Sequence, residues 1–118
     1  MFVFHLILYN MTVEQIQKTT IEKVDLIMLP IVKYFEDNKN SSYEDLLNKW
    51  NDFKQKLHKD KFEIVCEILT ENGIEDPFKK NSDNVIKSLV INFSSLTFDK
   101  TVNTLYTDKI KPIIIKNL

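Results

Sequence analysis

The chain has no arginine, no alanine, one glycine, one cysteine and two histidines in 118 residues. Each shortage closes off a class of chemistry. A backbone cradle for phosphates needs several glycines close together, and only Gly73 is present, so Walker and Rossmann nucleotide loops are excluded. Without a guanidinium there is no bidentate fork to read guanine edges, clamp a carboxylate or stabilise a transferring phosphoryl group. Any phosphate contact must come from lysine or from helix N-termini. The lone Cys66 forbids an internal disulfide, and with only His5 and His58 beside it no cluster has metal-ligand spacing. No metal or cofactor is therefore expected. A single thiol fits a reducing intracellular compartment, the cytoplasm foremost and the nucleus not ruled out.

What is present is lysine, isoleucine, asparagine and phenylalanine, a usage that reads as the codon bias of a low-GC genome. Sixteen lysines oppose 17 acids, the net charge is −1, and 43% of residues are hydrophobic. This length supports one domain with one core over residues 1–118. The longest apolar run, Met1 to Tyr9, is interrupted by His5 and is too short to span a bilayer. It lacks the basic region and small-residue cleavage site of a signal peptide. Two readings of residues 1–10 stand: a short buried segment, or a non-core extension ahead of a start at Met11.

The periodicity predicts an all-α fold, a single compact bundle of about five amphipathic helices. Helix one starts at Thr12, with Gln15 completing a capping box and Met11 stapling on Ile16, and its stripe is Ile21, Val24, Met28, Ile31 and Phe35. Pro30 removes a ladder hydrogen bond and predicts a kink or break. Ser41 with Glu44 caps helix two, whose stripe is Tyr43, Leu46, Leu47, Trp50, Phe53 and Leu57. Asp60 with Glu63 predicts a new helix carrying Phe62, Val65, Cys66 and Leu69, closed by Asn72-Gly73-Ile74 with Gly73 in the left-handed conformation. A fourth helix capped at Asn81-Ser82-Asp83 carries Val85, Ile86, Leu89, Val90, Phe93 and Leu96, although residues 85–98 also admit a strand. Asp99 caps a fifth, with Val102, Leu105, Tyr106 and Ile110 inward, and Pro112 precedes a packed tail or kinked last turn.

Catalytic constellations are sparse. On one continuous helix His58 and Cys66 would lie about 12 Å apart along the axis, beyond reach of each other. A break near Lys59 would bring them closer. Glu63, Glu67 and Glu71 form an i, i+4, i+8 ridge, with no Glu-x-x-His motif of the kind a di-metal bundle needs. Charge is segregated: residues 62–78 carry five acids and no lysine, and residues 79–118 carry seven lysines against three acids. These stretches pair within the fold or with a partner surface.

The expectation is a non-enzymatic helical protein–protein interaction module, a complex subunit or an adaptor or effector, whose partner is another protein or a second copy. Its candidate contact residues are Tyr43, Trp50, Phe53, Glu63, Glu67 and Glu71, large anchors and an acidic ridge. The alternative is a nucleic-acid binder contacting phosphates through Lys54, Lys56, Lys59 and Lys61.

Overall fold

A computed structural model describes the backbone of residues 2–74 and 84–118, and the side chains of residues 13–74 and 88–118. The described residues contain no strand and form three long helices rather than about five. Helix α1 runs Phe2–Asp37, α2 runs Tyr43–Glu71 and α3 runs Asn84–Leu105. The third continues through a π-helical turn, Tyr106–Ile110, into a short α4, Lys111–Lys116. Lys23 of α1 meets Glu67 and Glu71 of α2 while Tyr34 meets Phe53, so these two helices are antiparallel. Lys61–Asp99 and Trp50–Tyr106 set α2 and α3 antiparallel in the same way.

Two of the expected boundaries dissolve because nothing in the sequence stops the helix there. Thr12 lies inside α1, not at its start, since no proline or glycine occurs before it. Asp60 lies inside α2, where the seam of Leu46, Trp50, Phe53 and Leu57 resumes one turn late at Ile64, Val65 and Ile68. The gap at Asp60 and Lys61 imitates a break in the sequence. Asp99 is likewise interior to α3, and the strand alternative for residues 85–98 is overturned by the helix spanning them. The cap expected at Asn81-Ser82-Asp83 falls outside the described residues.

Pro30 does not break α1, which continues to Asp37. The carbonyl it leaves without an amide partner belongs to Leu26, on a face open to water, while Ile31, Val32 and Phe35 beyond it are buried and hold the last turns in place. Pro112 is accommodated differently. It sits in the first turn of α4, and the preceding π turn widens the ladder so that the Lys111 amide reaches back to the Tyr106 carbonyl. The tail is packed, with Ile114 buried and the Asn117 side-chain amide donating to the Lys39 carbonyl in the α1–α2 loop at 2.8 Å.

The start of α2 is shifted by one residue. Ser42, not Ser41, is the cap: its backbone is extended and its hydroxyl accepts from the Asp45 amide at 3.2 Å, while the Ser41 amide closes a turn onto Asn38. The other end of α2 is as expected. Gly73 has φ +78°, its amide bonds to Thr70, and the Ile74 amide bonds to Leu69 at 2.9 Å, a Schellman closure with Ile74 packed back on the core. A Cβ at Gly73 would meet nothing within 4 Å, so the cost of Gly73→Ala is purely conformational. Urea denaturation should show a loss of about 1–2 kcal/mol, the penalty of a side chain in the left-handed region.

The core has two apolar clusters. The larger gathers Met28, Phe35, Trp50, Leu57, Phe98 and Ile110 with their neighbours, and the smaller gathers Ile16, Val65, Ile68, Leu69 and Val90. Between them along α1 and α3 lie Thr20 and Ser94, both fully buried, whose hydroxyls are 3.0 Å apart. The Thr20 hydroxyl also donates to the Ile16 carbonyl at 2.6 Å, so this polar layer is satisfied inside the core. Three residues assigned inward by spacing are exposed instead: Phe62, Leu89 and Leu96, with Ile21 at the margin. Their places are taken by Ile64 and Ile68 on α2 and by Ser94, Thr97 and Phe98 on α3, beside Val90, which is buried as the spacing placed it.

Candidate functional site

The antiparallel packing of α1 on α2 leaves a groove of about 590 Å³ along their outer seam. Ile27, Pro30 and Ile31 line it from α1, and Phe53, Leu57 and Ile64 line it from α2. One edge is mostly acidic: Lys56 is followed at successive turns of α2 by Asp60, Glu63 and Glu67, and Glu71 continues the ridge. The opposite edge carries exposed Pro30 and the Lys23 side chain, and Leu26, one turn before Pro30 and outside the lining, is 71% exposed. Four of the residues singled out in the sequence, Phe53, Lys56, Glu63 and Glu67, meet here. Ile27 and Ile64 were not singled out and Pro30 was read only as a kink; the signal for Ile64 was the continuation of the Trp50–Leu57 heptad to residue 64.

The electrostatics of the acidic edge are uneven. The Lys23 ammonium lies 3.2 Å from a Glu67 oxygen and 2.9 Å from a Glu71 oxygen, bridging α1 to α2. Asp60 and Glu63 make no ion pair among the described residues. The hydrogen bond to Glu71 raises the Lys23 pKa above its ordinary 10.5, opposed by partial burial and reinforced by Glu67. The pair therefore stabilises the fold fully below that ordinary value, and its contribution is lost as pH rises through the raised one. Lys23→Met should lower stability at neutral pH by less than about 1 kcal/mol, because both glutamates are more than half exposed. The difference from wild type in urea melts should narrow above pH 10.5.

The other anchors are core rather than surface. Trp50 is 6% exposed and stacks on Tyr106 with ring centres 4.5 Å apart and planes within 9°. Tyr43 is half-buried against the same cluster, and Phe53 packs edge-on to Tyr34 at 5.6 Å, with Lys49 over both rings. The correction follows from α3 and the π turn after it, whose Phe98 and Tyr106 cover the face of α2 that carries Trp50. A second groove, about 710 Å³, lies over this region between α2 and α3, edged by Asn51, Lys54, Gln55, His58 and Asn103.

The four lysines do not form one basic face. At about 100° per residue on the unbroken α2, Lys54 and Lys61 share one side while Lys56 and Lys59 fall on another. Lys61 is held by Asp99 at 2.7 Å, Lys54 lines the α2–α3 groove and Lys56 the α1–α2 groove. His58 is exposed and Cys66 half-buried on the same continuous helix, so the two stay about 12 Å apart along its axis. Among the described residues no group of three His, Cys, Asp or Glu is assembled to hold a metal ion, and no helix is long and apolar enough to cross a membrane. Searches against protein-family models, curated proteins and solved structures return no match.

Proposed function

We propose that this chain is a non-enzymatic helical interaction module, a subunit or adaptor, that receives a partner segment in the α1–α2 groove. The observation that carries the reading is an apolar floor open to water, edged by exposed Pro30 with Lys23 on one side and by Lys56, Asp60 and Glu63 on the other, with exposed Leu26 one turn before Pro30. An exposed leucine beside such a floor costs solvation free energy until a partner covers it. The separation of His58 from Cys66 supports binding over nucleophilic catalysis, and the division of the four lysines between two sides of α2 favours a protein over a nucleic acid.

The test compares the tagged wild-type chain with Leu26→Ser/Glu63→Lys in affinity capture from cells. Both positions are exposed, so the circular dichroism spectrum should be unchanged. A stoichiometric protein recovered by wild type and lost by the variant is the expected result. Equal recovery by both, or no stoichiometric protein with either, overturns the reading.

A further inference from the structure

The outer face of α1 carries a stripe that the fold leaves open to water. Glu22, Leu26, Leu29 and Lys33 follow one another at intervals of four, three and four residues, the spacing of a seam along one side of a helix, and all four are exposed. Leu26 and Leu29 are 71% and 67% exposed. None of the four lines the α1–α2 groove. About a turn further out stand Lys18 and Glu36, also exposed.

The order of these residues is symmetric about the point midway between residues 27 and 28. Two antiparallel copies of α1 related by a two-fold axis through that point set Leu26 against Leu29 and Glu22 against Lys33, each pair occurring twice. At about 100° per residue Lys18 and Glu36 lie on the same side of the stripe, so they too come opposite each other, within one residue's rise and again twice. A parallel arrangement would set each charge against its own copy. The remaining charges between residues 18 and 37 are Lys23, held by Glu67 and Glu71, Asp37 at the end of α1 on the other side of the stripe, and Asp25. Asp25 meets its own copy near the axis and opposes the contact, while exposed Lys100 of α3 stands level with it, since Thr20 is beside Ser94.

We infer that this chain forms a two-fold antiparallel dimer through the outer face of α1, with Leu26 and Leu29 of both copies at its centre and a Glu22–Lys33 pair on either side. The charge order names a second copy as the occupant. Anion and cation exchange places from one end of the stripe to the other, which is what a surface needs to be complementary to itself. The contact is isologous, so it closes at two copies, and it uses none of the groove-lining residues.

Sedimentation equilibrium of the purified chain between about 5 and about 500 µM in low salt should fit monomer and dimer alone, with a weaker dimer in about 0.5 M NaCl. Leu29→Asp, Glu22→Lys and Lys33→Glu should each weaken the dimer by about tenfold or more, because each change is felt twice across the axis. Glu22→Lys/Lys33→Glu in one chain should restore the dimer, which also shows that the reversed chains fold. The inference is overturned by a monomer throughout in low salt, by growth beyond the dimer, by a dimer that Leu29→Asp or the single reversals leave unchanged, as a parallel contact would be by the reversals, or by one that the double reversal does not restore. Because neither reversal alters a groove-lining residue, affinity capture with these variants decides the groove reading separately.

Discussion

Replacing Phe35 with alanine is expected to cost about 3–5 kcal/mol, the range for removing a buried ring from a packed core. Phe35 is fully buried where α1 meets α2. Its ring lies edge-on to Trp50 at 6.4 Å and tilted to Phe53 at 6.0 Å, so its loss opens a cavity that three helices border. Net stabilities of domains this size are about 5–15 kcal/mol, which makes the change a large fraction of the total. Urea denaturation should show the midpoint falling with little change in slope. Phe35→Leu keeps most of the volume and should cost less than about half as much. A loss under about 1 kcal/mol for the alanine variant would show that the ring is not part of the packed core.

Pro30→Ala is expected to act in the opposite direction, raising stability by about 2–3 kcal/mol, the difference in helix preference between these residues in a helix interior. The position is favourable for the exchange. It is exposed, the helix continues on both sides of it, and alanine supplies the amide that the Leu26 carbonyl lacks. Thermal unfolding should shift upward without a change in helical content. An unchanged or lowered midpoint would show that α1 depends on the proline, as it would if the groove edge needed that geometry. The same variant in the affinity capture separates the two roles, because a more stable chain that recovers less partner assigns Pro30 to docking.

Much of the local structure was legible along the chain. The stripes of α1 and α2, the glycine closure at Gly73 and, to within one residue, the serine–acid start of α2 are all short-range chemistry, set by residues within a turn or two of one another. Cap patterns were over-read for the same reason. Thr12, Asp60 and Asp99 have cap-like neighbours, yet a cap terminates a helix only when the chain before it leaves the helical conformation, and nothing there forces it to. Asp60 and Asp99 instead line a groove and pair with Lys61.

The burial of polar residues was not legible. Thr20, Ser94 and Thr97 are buried because small side chains let α1 and α3 approach closely, and their hydroxyls are satisfied by carbonyls one turn back or by each other. Hydrophobic spacing assigned Leu89 and Leu96 to the face that these residues occupy. The candidate site was legible in its charges and not in its shape. The ridge of Glu63, Glu67 and Glu71 follows from spacing alone, but which apolar residues lie beside it depends on the rotation of α1 against α2.

Composition and short-range pattern thus decide that this is a helical protein without nucleotide loops or guanidinium clamps, since those are properties of residue supply and of neighbours in sequence. The packing of three helices decides the rest. It buries Trp50 under Tyr106 and spends Lys23 on Glu67 and Glu71, while Asp60, Glu63 and the lysines of α4 make no ion pair among the described residues, because an ion pair or a stack needs side chains to meet that are tens of residues apart.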